Sequence, residues 1–470
     1  FGGIFMPGPG FDEFVKIRSF FGHDRYSLIG ITHTTASKRI MQSIQSLVTL
    51  PVMPWDALIC TSQSVLDTVT NIIDNRVNFL KERYGYKNRI LPKLPVIPLG
   101  IDENEFNYSD SDRVTSRKEL NINEDDIVVI FVGRLSFHAK AHHFPMYKAL
   151  EECSKGLKDD QKIHLIQTGW FNNNYIETAF IDEAKDICPS VKCHFLDGRD
   201  QRNKKITLSA GDLFMSLSDN IQETFGITPI EAMASGIPVI VSDWNGYKDT
   251  VRNNVDGFKI PTITLPKGYG EDLAFEHMIN KINYDTYLAS TSLLTAIDIQ
   301  VLINKLLLLI NDKDLRKRFG TEGKKRAKSE FSWKFILDRY ELLANELDEI
   351  RLKESKKFSD LSRPKLPSEA LDPFDIFSSY PTTSINDKIL ITKTNLYNKE
   401  EIDKIYNLKS VKLEVPKLNT VNNLELIYKE FENNKECTIS DIEKIIDIEK
   451  DELYSCVLWL LKFGFLSVKE

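Results

Sequence analysis

Between Asp126 and about Pro261, nearly continuous apolar runs alternate with segments of helical composition. The predicted helices include 146–157, 175–187 and 228–235. The predicted strands are rich in β-branched residues and lie at Ile127–Val132, Ile163–Ile166, Val191–Leu196, Asp212–Met215 and Ile237–Val241. Apolar strands separated by helices are typical of a parallel sheet covered on both faces. This pattern predicts an α/β, Rossmann-like domain, whose limits we set at 119–330.

The same alternation is fainter in residues 1–118. Strand candidates are Ser27–Thr32, Ala57–Thr61 and Val96–Pro98, and a helix is predicted from Ser64 towards Lys81. We therefore expect a second, thinner Rossmann-like domain here, short or truncated at its amino end. The chain starts at Phe1. Its opening Gly-Pro segment does not resemble the first strand and glycine-rich loop with which such a domain normally begins.

The sequence of the carboxy-terminal third predicts three further structural parts: a helix, a linker and a small module. A long amphipathic crossover helix is expected within 331–355, and residues 356–419, rich in Ser, Pro and Lys, are predicted as a linker or strap. Residues 420–470 suggest a small, mostly helical winged-helix-like module, with elements at Leu424–Phe431, Ile439–Ile446, Asp451–Lys462 and Phe465–Val468. The last 50 residues carry eleven acidic and six basic groups, a net charge of −5, which argues against DNA binding.

Composition excludes several classes. The 470 residues are 42% hydrophobic and 27% charged, ordinary values for a soluble globular protein. The net charge of −7 gives no electrostatic reason to expect nucleic acid or an anionic membrane as main partner. Six scattered cysteines without a CxxC pair disfavour a disulfide framework or a zinc site and favour a reducing cytosol. No apolar stretch is long enough to span a bilayer and no secretory signal is visible, so we expect a cytoplasmic protein with peripheral membrane contact left open.

Two cations follow the first strand of the predicted 119–330 domain. The strand runs into Phe131–Ser136, which contains Arg134, and Lys140 follows six residues later. Ligands of open α/β sheets bind at the carboxyl ends of the strands. Arginine grips phosphate oxygens with a planar fork, and lysine adds a mobile point charge. Taken alone, these residues fit two solvated loop cations better than a binding site, since basic loop residues are common.

A second motif combines a glycine with a predicted helix start. Gly226 lets the backbone approach a ligand closely, Thr228 has N-cap chemistry, and Pro229 suits the first helical position. Free amides at a helix N-terminus bind anions. Gly226, Ile227 and Thr228 are therefore predicted to hold a diphosphate opposite the two cations.

Two carboxylates flank this helix start, and each has a structural alternative. Glu231 is spaced from Thr228 as in a capping box, in which it would bond back to the Thr228 amide. That role and ribose binding are about equally compatible with the local sequence. Glu223 precedes the helix in a polar loop, where an ordinary exposed carboxylate is the alternative.

Together these motifs carry a resemblance. The Phe-Val-Gly-Arg-Leu-Ser segment with Lys140, and Glu223 and Glu231 with seven residues between them, resemble family 4 retaining glycosyltransferases of the two-Rossmann (GT-B) type, glycosyl transferases group 1. The similarity extends over about Ser27–Glu346 and includes 55–62 and 98–102.

The resemblance implies a role for each residue. Arg134 and Lys140 would neutralise the diphosphate of a nucleotide-sugar donor, Glu223 would contact the transferred sugar, and Glu231 would bind the ribose hydroxyls. No metal or other cofactor is implied. The backbone amides expected to reach sugar and phosphate are those of Phe225, Gly226, Ile227 and Thr228.

Histidines add one candidate. His33 follows an amino-terminal strand and resembles the family histidine that faces the donor sugar across the cleft, whereas a lone histidine is more often structural. His138 and His142 have one-turn helical spacing, but no carboxylate lies at a matching interval. We interpret them, with His143, as loop and surface histidines rather than metal ligands.

The chain departs from the family pattern in two places. Ala141 and His142 stand where a glycine is usual, so the backbone there is expected to run differently. The family's amino-terminal domain also normally contributes more chain before the Gly-Arg strand, and this is why we expect that domain to be incomplete.

The sequence thus predicts a metal-independent, retaining sugar transfer from a nucleotide-diphosphate sugar to an acceptor hydroxyl. Leaving-group charge would be stabilised by the two cations and the helix amides. Two alternatives remain: a non-catalytic glycosyltransferase-like protein that binds a nucleotide sugar or a protein partner, and a regulator acting through the carboxy-terminal module. The nucleotide, the sugar and the acceptor, whether carbohydrate, lipid-linked or protein, are left open.

Overall fold

A computed structural model describes residues 2–87, 90–157, 160–358, 370–412 and 420–469. The chain divides into two compact units, Phe1–Pro367 and Ser368–Glu470. The first unit contains two separate parallel sheets, and the second contains a small antiparallel sheet with helices.

The amino-terminal part is a three-stranded parallel sheet in the order β1-β2-β3. The predicted strands at Ser27 and Ala57 are confirmed, and a 3₁₀ turn at Glu103–Phe106 follows. The elements are β1 (Gly3–Phe5), α1 (Asp12–Phe21), β2 (Ser27–Ile31), α2 (Lys38–Ser46), β3 (Ala57–Ile59), α3 (Gln63–Tyr84) and α4 (Asp110–Glu119).

The prediction of a strand at Val96–Pro98 was wrong. Residues 93–97 run beside β3 and bond to it, but only as isolated bridges at Lys93 and Val96. The physical reason is proline: Pro95 and Pro98 have no amide hydrogen to donate, which interrupts a regular ladder. The third strand is β1 instead, and the Gly-Pro segment after it leads into α1.

A buried ion pair ties this small sheet together. Arg18 on α1 donates to both carboxylate oxygens of Asp56, at 2.6 and 2.7 Å, and both side chains are fully buried. The Asp56 carboxylate also accepts from the backbone amides of Leu28 and Met53. Pairing of this kind makes a buried charge tolerable, although Arg18 Nε has no partner among the described residues.

The second part is a six-stranded parallel sheet in the order β6-β5-β4-β7-β8-β9. The chain order reverses between β4 and β7, as in doubly wound nucleotide-binding folds. Strands β4, β5, β7 and β8 are buried along their whole length, which explains their continuous apolar sequence. The elements are β4 (Ile127–Val132), α5 (Phe144–Ser154), β5 (Ile163–Gly169), α6 (Asn174–Ile187), β6 (Lys192–Asp197), α7 (Gln201–Ala210), β7 (Leu213–Ser216), α8 (Ile227–Ala234), β8 (Val239–Ser242), α9 (Tyr247–Thr250) and β9 (Gly257–Ile260). The two-Rossmann prediction is confirmed.

After β9 the chain makes an excursion before it continues along the domain. The excursion comprises β10 (Thr262–Thr264), α10 (Glu271–Met278), α11 (Tyr284–Leu293) and β11 (Thr295–Ile297). Then follow α12 (Ile299–Asn311), α13 (Lys313–Glu330), α14 (Trp333–Glu354) and a 3₁₀ turn at Ser355–Phe358. Helix α14 returns to the amino-terminal sheet, where Ile336, Leu343 and Leu347 pack against Ile29 and Ile59.

The second unit contains α15 (Pro373–Ile376), β12 (Leu390–Lys393), α16 (Glu401–Tyr406), α17 (Val421–Asn433), β13 (Glu436–Thr438), α18 (Ile439–Glu443), α19 (Lys450–Lys462) and β14 (Leu466–Val468). The mostly helical module predicted for 420–470 matches α17, α18, α19 and β14.

The prediction of a linker over 356–419 was wrong for part of its length. Strand β12 is the middle strand of the antiparallel sheet β13-β12-β14, and Ile391 and Ile402 belong to the buried core of this unit. An isolated strand or short helix acquires stability only from partners distant in sequence, which the local Ser, Pro and Lys content conceals. The rest of that prediction, at 359–369 and 413–419, lies outside the described residues.

Within the described ranges, no helix is long and apolar enough to cross a membrane.

Candidate functional site

Two loops lie side by side where the strand order reverses, one after β4 and one after β7. Several hydrogen bonds join them, and three of these involve the first residues of the second loop. Ser218 Oγ donates to the Lys140 carbonyl at 3.0 Å, Asn220 Nδ2 donates to the His138 carbonyl at 2.6 Å, and the His142 amide donates to Asp219 Oδ1 at 3.4 Å. The carboxyl edge of the sheet is where such folds bind ligands, and these bonds fix the loop that carries Lys140 there.

Arg134 and Lys140 both contact the segment that leads into α8. Arg134 Nη2 donates to Gln222 Oε1 at 2.8 Å and to the Ala139 carbonyl at 3.2 Å. Lys140 Nζ forms an ion pair with Glu223. The two cations thus contact neighbouring residues of one loop, Gln222 and Glu223.

Lys140 and Glu223 hold each other in their charged forms. Burial opposes the charge on Lys140, but Glu223 and, to a smaller extent, Tyr247 outweigh it and raise the pKa of the ammonium. Burial likewise opposes the charge on Glu223, yet Lys140 and two backbone amides lower the pKa of its carboxyl group. Those amides belong to Thr224 and Phe225 and lie 3.1 and 3.3 Å from Oε1. Glu223 is therefore an internal anion beside the helix start, not an exposed loop carboxylate.

Helix α8 begins at Ile227, with Gly226 as its N-cap at φ +81°, a conformation that favours glycine. A β-carbon on Gly226 would lie 1.9 Å from Cε1 of the buried Tyr247 ring. Among the described residues, the amides of Ile227 and Thr228 have no hydrogen-bond acceptor. They are free donors at the positive end of a helix, the arrangement that binds anions.

The capping-box alternative for Glu231 was wrong, because the helix starts before Thr228 and no side chain caps it. Thr228 Oγ1 is buried without a partner, and so is Glu231 Oε2, while Glu231 Oε1 accepts from Lys204 Nζ at 2.8 Å. Burial raises the pKa of Glu231, and Lys204 opposes this. Thr228 and Glu231 lie one turn apart on one helix face, so they present unsatisfied oxygens together.

The amino-terminal sheet brings two of its loops to the same place. The carbonyl of His33, after β2, accepts from Thr224 Oγ1 at 3.0 Å, and Ser62, after β3, donates its hydroxyl to the Thr224 carbonyl at 2.9 Å. The structure thus places His33 in contact with Thr224, the residue that follows Glu223 in the sequence. Its imidazole is exposed.

The sequence predicted His138, His142 and His143 as surface residues, but not all of them lie at the surface. His143 is 2% exposed, bonds to Glu183 at 2.6 Å and packs on the Phe180 ring with centroids 4.3 Å apart. It is the residue before α5, and the apolar face of α6 covers it. In the described part of the chain no cluster of three or more His, Cys, Asp or Glu side chains could hold a metal ion.

Comparison with known proteins agrees with this geometry. The family model for glycosyl transferases group 1 matches residues 112–265, which include every donor-side residue named above. The chain carries a group 1 glycosyl transferase domain. All of the predicted site residues except His33 belong to it.

Curated relatives resemble this group 1 domain and its surroundings. The chain is 26% identical over 210 residues to the uncharacterized glycosyltransferase MJ1607 of Methanocaldococcus jannaschii, covering 42% of this chain and 50% of that protein. It is 29% identical over 171 residues to the D-inositol 3-phosphate glycosyltransferase of Corynebacterium kroppenstedtii, covering 36% and 37%. The matched part of this chain therefore spans half or less of the length of each of these relatives.

A solved structure shares the fold. Anabaena HepE in complex with UDP superposes with a TM-score of 0.50 at 18% identity, covering 74% of this chain and 79% of that one. This likeness establishes the GT-B architecture of two Rossmann-like domains.

Sequence reasoning missed four residues of the group 1 domain that shape the site. Gln222 bonds to Arg134, Tyr247 lies beneath Gly226, Asn245 donates to the Glu223 carbonyl, and Lys204 pairs with Glu231. Lys204 had a usable signal, since it follows the turn after β6 at the same sheet edge. The other three act through contacts distant in sequence.

Proposed function

We propose that this protein transfers a sugar from a nucleotide-diphosphate sugar to an acceptor hydroxyl, with retention of configuration and without a metal ion in the donor site, as family 4 enzymes do. One observation supports the proposal: at the switch point of a group 1 domain, Arg134 and Lys140 contact the loop that leads into α8, and the first amides of α8 have no acceptor among the described residues. These are the positive groups that a leaving diphosphate requires.

Each group has a defined task. Breaking the bond between sugar and diphosphate moves negative charge onto the phosphate oxygens. Arg134, Lys140 and the amides of Ile227 and Thr228 stabilise that charge in fixed positions, without the cost of reorienting solvent. The raised pKa of Lys140 keeps it cationic at neutral pH.

Glu223 and Glu231 complete the donor site. Glu223 contacts the transferred sugar, and its carboxylate, paired with Lys140, offsets the positive charge before the donor arrives. The unsatisfied oxygens of Thr228 and Glu231 fit the adjacent hydroxyls of a ribose.

The test is turnover by an Arg134→Ala/Lys140→Ala variant of the whole chain. Removal of a single well-placed donor typically costs about 10²–10³-fold in rate, so we expect a loss of at least about 10³-fold for the pair. UDP-sugars are the first donors to try, because HepE is a UDP complex; GDP- and ADP-sugars follow. Release of the nucleoside diphosphate is measured with and without added acceptors.

A matched control replaces two exposed lysines of the same domain, Lys155→Ala/Lys185→Ala. It should turn over at the parent rate. Undiminished transfer by the Arg134→Ala/Lys140→Ala variant refutes the assignment. Donor binding by the parent chain without any turnover would instead favour the non-catalytic alternative.

A further inference from the structure

The excursion between β9 and α12 is an addition to the Rossmann core. Its two ends meet, because the Asp298 amide donates to the Pro261 carbonyl at 3.0 Å and β10 pairs antiparallel with β11. The six-stranded sheet is complete without it, and the match to the family model stops at residue 265. Apart from β10, the excursion therefore lies outside the residues that match the family model.

The excursion packs over the candidate site and touches both Rossmann-like domains. Leu288 on α11 is fully buried against Ala36 of the amino-terminal domain and Ala139 of the loop that carries Lys140. The Met278 carbonyl, at the end of α10, accepts a hydrogen bond at 3.0 Å from Lys38 Nζ of the amino-terminal domain. The side chains of the excursion are thus held in place relative to the site.

One of these side chains, Tyr287, lines a groove of about 390 Å³ between the two domains. This volume lies within the usual range for small-molecule sites. The groove adjoins the proposed donor site, since its wall residue Asn245 donates to the Glu223 carbonyl. Ile221, next in sequence to Gln222, also lines it. An acceptor in this groove lies beside the reacting sugar.

Two aromatic rings in the groove are fixed. The Trp244 indole donates to the Asn220 carbonyl at 3.0 Å, and the Tyr287 ring stacks on His277 with centroids 4.5 Å apart and planes 12° apart. Hydroxyl groups of Ser64 and Thr68 line the same space. Rigid rings offer flat apolar area at little entropic cost. The two hydroxyl groups donate to the carbonyls of Asn245 and Ser64, and their oxygens can accept hydrogen bonds from a ligand.

A carbohydrate ring matches this combination, because its C–H faces are apolar while its edge carries hydroxyls. Among the residues that the structure describes, no carboxylate lines the groove, and the one charged residue that does so is Lys248. Building on the proposed function, we infer that the groove binds a carbohydrate acceptor and that Tyr287, supplied by the excursion, determines which acceptor is selected.

The test measures acceptor binding and donor chemistry separately. Methyl glycosides of glucose, galactose, mannose and N-acetylglucosamine are presented to the whole chain, with the nucleoside diphosphate that stabilises it, and binding is followed by saturation-transfer NMR. The variants are Tyr287→Ala, Tyr287→Phe, which keeps the ring, and Tyr269→Ala, a control tyrosine of the same excursion that is 75% exposed. Acceptor-independent donor hydrolysis is measured in parallel.

At least one glycoside should bind the parent chain. Its dissociation constant should rise five-fold or more in Tyr287→Ala and change less than two-fold in Tyr287→Phe and Tyr269→Ala, with hydrolysis unaltered in all three. Equal affinity in Tyr287→Ala overturns the inference, as does failure of every glycoside to bind the parent. If the parent chain neither binds nor hydrolyses a donor, the result counts against the proposed function. Failure of the acceptor inference and failure of the proposed function are therefore distinguishable.

Discussion

Replacing Asp219 with Asn should make the first unit more stable at neutral and alkaline pH. Asp219 is 3% exposed in the loop after β7, where its carboxyl group accepts from the His142 amide. Burial raises its pKa from 3.8 to about 7, and hydrogen bonding only partly opposes this. Asn has the same shape and keeps the acceptor oxygen, but it does not ionise.

The sign and size follow from linkage. A carboxyl group whose pKa is raised on folding stabilises the fold fully below its unfolded pKa, and this contribution is lost as pH rises towards the folded value. The rise in the pKa of Asp219 from 3.8 to about 7 corresponds to about 4 kcal/mol of unfolding free energy. The unfolding free energy of Asp219→Asn minus that of the parent should therefore grow by about 4 kcal/mol between pH 4 and pH 8.

Urea unfolding at unit steps of pH measures this difference, because all other titrating groups are shared and cancel. Tryptophan fluorescence reports mainly on the first unit, which holds Trp55, Trp170, Trp244 and Trp333, whereas the second holds Trp459. A difference that stays constant across this pH range would show that Asp219 is ionised and solvated in the folded protein, and the argument from burial would fail.

Three further predictions concern single side chains. Gly226→Ala should abolish nucleoside diphosphate binding in a thermal-shift assay, because its β-carbon would meet the Tyr247 ring at 1.9 Å at a positive φ; preserved binding would contradict this. Arg18→Met should lower the unfolding free energy by about 3–5 kcal/mol, since Asp56 is left buried and unpaired, and a loss below 1 kcal/mol would mean that water reaches it. Glu231→Gln should weaken binding of UDP about ten-fold or more but leave 2′,3′-dideoxy-UDP unaffected, as measured by calorimetry; equal weakening of both ligands would exclude a ribose contact.

The position of the two loops of the candidate donor site was predictable because it depends on local signals. Gly133 directly follows strand β4, and Gly226 directly precedes helix α8. In a parallel α/β sheet, loops at such positions lie at the same edge of the sheet. The error in the start of α8 arose because Thr228 and Pro229 suit the first turn equally well at neighbouring positions.

What the sequence did not reveal depends on distant contacts. Nothing near Lys140 indicates that Glu223 is its partner, and nothing near Asp219 indicates that it is buried. The excursion escaped notice because its helices expose Phe275 and Met278 and so lack a clear amphipathic period. Strand β12 became visible only through its pairing with β13 and β14.

The central claim is that Arg134, Lys140 and the start of α8 recognise a diphosphate. Calorimetry tests this directly by comparing the binding of UDP with that of uridine, in the parent chain and in Arg134→Ala/Lys140→Ala. If thermal shifts favour another nucleotide, GDP or ADP and the corresponding nucleoside replace UDP and uridine. The account predicts that the diphosphate tightens binding by about 100-fold or more in the parent and by less than about ten-fold in the variant. An equal gap between nucleotide and nucleoside in both proteins would contradict it.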